Sequence, residues 1–176
     1  MTTPPPPTDP DLVRGLHRRD RSAAARLYDD YHAAVYNLCA RILGDREEAK
    51  DVTQDVFLTA FEKPPAENES VRLRAWLFRV ATNACLNRIR SRRRTEPMEE
   101  SVPAAGDPFE QARTAGFIEA GLAALNERYR AALVLKDLQG LDTRELAEVL
   151  GVSRAAADVL VQRARASFKR AFSAVA

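Results

Sequence analysis

Histidine, cysteine and isoleucine are scarce in this chain, and each scarcity excludes something. There are 2 His and 2 Cys among 176 residues. His17 and His32 fall on separate predicted elements, without the spacing of a zinc site or a nucleophile–base–acid triad. Cys39 and Cys85 make neither a metal-ligand pair nor a disulfide framework, so they read as two half-buried thiols in a reducing cytoplasm. A glycine-rich phosphate loop and a nucleophile elbow are both missing. An enzyme is therefore not expected: no catalytic residue, metal ligand or cofactor is assigned. No apolar run approaches the roughly 20 residues of a membrane-spanning helix, so membrane insertion is not expected either. The first ten residues contain four consecutive prolines and lack the basic-then-apolar order of a signal peptide, which predicts a disordered tail.

The 3 Ile stand against 30 Ala and 18 Leu. Ala and Leu favour helix and β-branched residues favour strand, so the predicted fold class is all-α. A length of 176 residues allows one ordinary domain or two small ones.

A net charge of +2 conceals strong segregation. Residues 45–62 hold six acids and two bases, a net of −4; residues 72–94 hold eight arginines and no acid; residues 95–110 hold five acids and no base. Such blocks imply separate surfaces for separate partners. The last block also carries Pro97, Pro103, Gly106 and Pro108 and cannot build a core, so it reads as a flexible acidic linker. The resulting division is a Pro-rich tail at 1–10, a helical domain at 11–94, a linker at 95–108 and a second helical domain at 109–176.

Helical periodicity runs through both domains. Leu27, Tyr31, Val35, Leu38 and Ile42 recur on one face. Gly44 stops that helix, and Asp45 caps one that lasts to Pro64-Pro65. A third helix begins near Val71. Ile118, Leu122, Leu125, Tyr129 and Leu133 trace a single further helix. Asp142 with Glu145 forms a capping box, Gly151 supplies a turn, and Ser153 caps the last helix. This punctuation fits a helix-turn-helix and also fits an ordinary helical hairpin.

Three faces carry candidate chemistry. On the last helix, Ala157, Val161, Ala164, Phe168 and Phe172 are predicted to be buried, leaving Asp158, Val159, Gln162, Arg163, Lys169 and Arg170 outward. Arginines and lysines suit phosphates, and Gln162 suits a base edge. Asp158 is repelled by phosphates unless it accepts from a cytosine amine, and Val159 meets either a thymine methyl or protein. On the arginine-rich helix, Arg72, Trp76, Arg79, Asn83, Asn87, Arg90 and Arg94 project within about a quarter-turn. Arginines that hold a backbone, an indole that stacks and amides that bond an exposed base suit single-stranded DNA. On the acidic helix, Asp51, Gln54, Asp55 and Glu62 surround Leu58, an arrangement that suits a protein-binding anchor.

Asp51-Val52-Thr53-Gln54-Asp55-Val56-Phe57 and Arg74-Ala75-Trp76-Leu77-Phe78-Arg79-Val80-Ala81-Thr82-Asn83 resemble region 2 of bacterial extracytoplasmic-function (ECF, group 4) sigma factors of the sigma-70 family. Leu125-Asn126-Glu127-Arg128-Tyr129-Arg130, Gly140-Leu141, Glu145-Leu146-Ala147 and Arg163-Ala164-Arg165 resemble region 4. The resemblance implies an RNA polymerase initiation subunit, monomeric when free, that binds core RNA polymerase and promoter DNA. Asp51, Gln54, Asp55 and Leu58 would dock on core polymerase. Arg72, Trp76, Arg79, Asn83, Asn87 and Arg90 would bind the −10 element, Asn83 holding a flipped base and Trp76 lying in the strand-opening segment. Ser153, Arg154, Asp158, Val159, Gln162, Arg163, Arg165 and Lys169 would meet the −35 element. An anti-sigma partner is usual for the family.

The chain departs from the family pattern twice. Glu67-Asn68-Glu69-Ser70 replaces an aromatic–glycine turn, and Ala156-Ala157-Asp158-Val159-Leu160 replaces a Thr-Val-Lys-Ser-Arg-like run. Altered −35 recognition follows, with phosphate contacts falling to Arg154, Arg163, Arg165 and Lys169. In the free chain, acidic segments are expected to screen the basic stripe until polymerase separates the domains. Two alternatives stay open: a helix-turn-helix DNA-binding regulator outside the polymerase, which leaves the stripe and Leu58 without purpose, and a protein-only interaction module, which Val159 and Leu160 favour.

Overall fold

The computed structural model describes residues 9–67, 72–95 and 110–175, which are helical without a strand. The prediction for the acidic linker lies almost wholly outside the described residues, as does residues 68–70 of the departing turn.

Four helices build the first domain: α1 (Asp9–His17), α2 (Arg21–Leu43), α3 (Arg46–Glu62) and α4 (Leu73–Thr95). Helix α1 corrects the tail assigned to 1–10, because Asp9 and Pro10 belong to the fold. Two buried demands hold Asp9 in place. One carboxylate oxygen accepts from the Leu73 backbone N–H at 3.0 Å, and the other accepts from the Tyr31 hydroxyl at 3.3 Å. The first bond satisfies a donor at the start of α4. Burial, and then the Asp9 charge, push the Tyr31 hydroxyl up to about 12.

The punctuation read from the sequence recurs. Gly44 ends α2, and Asp45 accepts from the Glu47 and Glu48 N–H groups to begin α3; the sequence reading did not include Asp20, which caps α2 by accepting from the Ser22 N–H. Leu27, Val35, Leu38 and Ile42 of α2 are fully buried, as are Leu73, Leu77, Phe78 and Ala81 of α4, while Val52, Val56 and Phe57 of α3 keep only traces of exposure. Full burial of each large side chain contributes about 1.5–3 kcal/mol, so this three-helix core makes α4 a rigid platform. Cys39 and Cys85 are fully buried rather than half-buried. Hydrogen bonding to Cys39, followed by burial, pushes the Cys85 thiol up.

The second domain holds α5 (Glu110–Ala123), α6 (Glu127–Leu133), a π-helical turn (Val134–Leu138), α7 (Thr143–Leu150) and α8 (Arg154–Val175). The single helix expected along residues 118–133 is two. Asn126 adopts an extended backbone and its side chain accepts from the Tyr129 N–H at 2.9 Å, which starts α6 afresh. The orphan carbonyls at the end of α5 go to Arg130, whose guanidinium donates to Leu122, Ala123 and Leu125 at 2.8–3.1 Å. The Asp142–Glu145 capping box is present in both directions. Gly151 takes φ 66°, where a side chain would be strained, to turn the chain from α7 into α8. A Cβ on Gly121 would lie 2.6 Å from the Phe168 ring, so α5 and α8 approach closely there. Among the described residues, one continuous hydrophobic core runs from Leu12 in the first domain to Ala164 in the second.

Candidate nucleic-acid interface

Helix α4 splits its arginines into two populations. Arg79, Asn83, Asn87 and Arg90 are exposed along one face, Arg90 donating to the Asn87 side chain at 3.2 Å. At the head of this face Arg72 and Trp76 are only partly accessible, with Trp76 packed against the core. These six residues therefore form the single stripe expected of them, open from Arg79 onward. Arg94, expected on the same stripe, is exposed near the end of the helix, while four other arginines, Arg74, Arg88, Arg92 and Arg93, make contacts within the molecule. Arg88 pairs with Glu48 and Asp51 of α3, Arg92 with Glu48, and Arg93 forks onto both Glu127 oxygens at 3.1 and 3.0 Å. The block that has no acid in sequence is thus partly neutralised in space.

On α3, Asp51, Gln54, Asp55 and Leu58 are all exposed, Leu58 at 47%. Val52, Val56, Phe57 and Ala60 point into the core. A large exposed apolar side chain within a polar arc suits a partner's pocket. Tyr28 of α2, 44% exposed, adds to this side by packing on the Phe57 ring at 5.0 Å between centroids.

On α8, the Ser153 hydroxyl accepts from the Ala156 N–H at 3.2 Å and caps the helix. Arg154, Asp158, Val159, Gln162, Arg163, Arg165 and Lys169 are exposed, whereas Ala157, Val161 and Ala164 are buried. Phe172 corrects the predicted buried face: it is 37% exposed and lies at the rim against Phe117 and Phe168. Two charged residues are already engaged. Thr143 at the start of α7 donates its hydroxyl to Asp158 at 3.2 Å, and Arg165 grips both oxygens of Asp137 in the π-helical turn. The Asp137 bond holds the Arg165 guanidinium above its ordinary range. Val159 opens onto a shallow groove of about 390 Å³ lined by Tyr129, Ala155, Ala156, Leu160 and Arg163. The exposed side of α8 is accordingly basic at Arg154, small and apolar over Ala155, Ala156 and Val159, and basic again at Arg163 and Lys169.

Sequence reasoning passed over Arg74, Arg93, Glu127 and Arg130. The hydrogen-bond partners of Arg74, Arg93 and Glu127 lie far off in the chain, and Arg130 reaches distant Ile42 as well as the nearby end of α5; the one local signal was the Asn126-Glu127 cap preceding the α6 periodicity. Among the described residues, no group of three or more His, Cys, Asp or Glu side chains is placed to hold a metal ion, and no helix is long and apolar enough to cross a membrane.

The family model described as Sigma-70 region 2 matches residues 27–95, and that described as Sigma-70, region 4 matches residues 118–168. The ECF RNA polymerase sigma factor SigM of Mycobacterium tuberculosis (strain H37Rv) is 31% identical over 165 residues, covering 93% of this chain and 84% of that protein. The ECF RNA polymerase sigma factor SigW of Bacillus subtilis (strain 168) is 26% identical over 174 residues, covering 90% and 93%. In fold, CnrH, solved in complex with the cytosolic domain of CnrY, is similar with a TM-score of 0.74 at 24% identity, covering 96% of this chain and 99% of that one. RpoE of Bartonella quintana, solved with the anti-sigma factor NepR, is similar with a TM-score of 0.69 at 19% identity, covering 85% and 96%.

Proposed function

The chain belongs to the extracytoplasmic-function sigma factors of the sigma-70 family, and from that membership we propose that it directs core RNA polymerase to specific promoters and helps open the −10 element. Helix α3 offers Leu58, ringed by Asp51, Gln54 and Asp55, to core polymerase. Helix α4 receives the parted strand: Arg79 and Arg90 hold its backbone, Asn83 and Asn87 bond base edges, and Trp76 supports stacking. The carrying observation is the exposed row Arg79, Asn83, Asn87 and Arg90 on a helix whose opposite face is locked into the core.

No bond is made or broken in this role. Capturing unstacked bases shifts the duplex-to-open equilibrium toward the open state by the difference in affinity for the two. Helix α8 supplies the duplex contact, with Arg154, Arg163 and Lys169 toward phosphates and Val159 with Ala155 and Ala156 toward methyl groups in the groove. The work is done in the cytoplasm, where polymerase and chromosome meet, and an anti-sigma factor is the partner that would restrain it. A helix-turn-helix regulator outside the polymerase is disfavoured, because matches to both sigma regions occur in order along one chain.

Co-purification with core polymerase followed by transcription from a promoter library tests the proposal. Retention on core and initiation at a shared −35/−10 sequence is the expected result. Duplex binding without core binding would replace it with the regulator. Leu58→Asp should weaken retention by about 30-fold or more, since a central apolar anchor contributes about 2 kcal/mol or more.

A further inference from the structure

Two thiols meet inside the first domain, and neither contact with polymerase nor contact with DNA uses them. Cys39 comes from α2 and Cys85 from α4, helices packed directly on one another, and neither side chain reaches solvent. Both are free, and the Cys85 thiol donates a hydrogen bond to the Cys39 sulfur. A lone buried Cys packs as a small hydrophobe, whereas a thiol that faces a second thiol gains a chemistry that packing does not need.

The surroundings are polar for a core. Thr53 of α3 and Thr82 of α4, 2% and 1% exposed, bury hydroxyls that have no hydrogen-bond partner among the described residues. Thr82 stands one helical turn from Cys85 on the same face of α4. The Thr53 hydroxyl lies beside the Cys39 sulfur. A thiol sulfur is a weak acceptor and a charged one is stronger, so the Thr53 donor is best satisfied when Cys39 ionises. The bond from Cys85 holds the Cys39 thiol below its ordinary range against the burial that would raise it, and Cys85 itself is held above. Cys39 is thus the nucleophile of the pair and Cys85 the partner that keeps its proton.

Hydrogen-bonded sulfurs stand a short closing movement from covalent contact, so a bridge asks for rotation of side chains and not displacement of helices. We propose that Cys39 and Cys85 form an intramolecular disulfide when the chain meets hydrogen peroxide, stapling α2 to α4 in the packing they already have. The Cys39 thiolate attacks one peroxide oxygen and the O–O bond breaks. Cys39 becomes a sulfenic acid, and the departing hydroxide takes up the proton that Cys39 released. The Cys85 sulfur then attacks the sulfenic sulfur, the S–O bond breaks, and the leaving hydroxide departs with the Cys85 proton as water. Two thiols and one peroxide give one disulfide and two waters. Because both sulfurs are sealed, peroxide enters during local opening, and Cys85 traps the sulfenic acid before a second peroxide arrives. Arg79, Asn83, Asn87 and Arg90 leave α4 on its exposed face, so the bond hardens the platform without altering the row it presents.

The test uses the full wild-type chain. After incubation with hydrogen peroxide, remaining thiols are alkylated under denaturing conditions and the products are read by non-reducing peptide mass mapping. Melting is followed before and after dithiothreitol. The Cys39 and Cys85 peptides should be joined within one chain, short of two hydrogen atoms and free of alkylating agent. The oxidised chain should melt about 5–15 °C higher than the reduced one, since the bridge closes a long loop in the unfolded state. Dithiothreitol should reverse both changes. Two alkylated thiols after peroxide, sulfinic or sulfonic acid in place of the bridge, or a bridge between chains would each overturn the proposal. So would an intramolecular bridge that leaves the melting temperature unchanged or lowers it, because such a bond does not fit the native packing.

Discussion

Helices α4 and α8 are nearly the same length, 23 and 22 residues, and each carries several arginines, yet they present opposite chemistry. On α4 the exposed row sets two amides, Asn83 and Asn87, between the guanidiniums of Arg79 and Arg90 and is headed by an indole. On α8 the equivalent stretch runs from Arg154 through alanines, an acid and a valine, and its other basic groups, Arg163 and Lys169, come later. The first surface offers something to every part of a single strand: its phosphates, its base edges and its stacking face. The second offers phosphate contacts around an apolar patch that suits the floor of a duplex groove. Net charge does not separate them. What differs is which arginines remain after internal pairing: Arg79 and Arg90 stay outward on α4, whereas Arg165 on α8 is committed to Asp137.

The comparison breaks most sharply at Asn83. Asn83→Ala should lower open-complex formation by about 2 kcal/mol, roughly 30-fold, as expected for a lost bidentate base contact, while binding to core polymerase is unchanged. Equal loss of both would make the residue structural.

On α8 the sign reverses. Asp158→Lys removes an acid that Thr143 now satisfies and adds a phosphate donor, so duplex affinity should rise about tenfold, or near 1.4 kcal/mol, and the dependence on salt should steepen. Titrations at two salt concentrations decide it, and an unchanged affinity would turn this face of α8 away from DNA.

Asp9→Ala sharpens the claim that α4 is a held platform. Losing the cap on Leu73 should cost about 1 kcal/mol, a fall of about 2–4 °C in melting temperature. An unchanged melting curve would show that α4 needs no anchor from α1.

The smallest effect is electrostatic. Burial works to raise the Glu127 carboxyl, but its own backbone N–H and Arg93 outweigh it and leave the group below its ordinary 4.5. A lowered acid contributes stability above its unfolded value and loses it as the pH falls through the folded one. Solvent screening limits that contribution to a few tenths of a kcal/mol. Urea midpoints of wild type and Glu127→Gln should therefore differ above about pH 4.5 and converge below it.

Local signals carried most of the fold into view. Asp45, Gly44, the Asp142–Glu145 pair and Gly151 each act within four residues of where they stand, so their effects were legible without a structure. The α5–α6 break was not, because Leu125 and Tyr129 continue the apolar period across it and the cap at Asn126 is a single residue. Helix α1 was hidden by four prolines beside Asp9, whose partners Tyr31 and Leu73 lie far along the chain. For the site, the stripe itself follows from helical geometry alone. Which arginines in and around α4 are engaged does not, since Glu48, Glu127 and Glu145 reach them only through tertiary packing.

Permanganate probing of the −10 thymines on a selected promoter tests the strand-capturing role of α4 most directly. With core polymerase and this chain those thymines should become reactive, and with Arg79→Ala/Asn83→Ala in its place they should stay protected although the polymerase remains bound. Full reactivity with the double variant, or none with the wild type, would contradict the account.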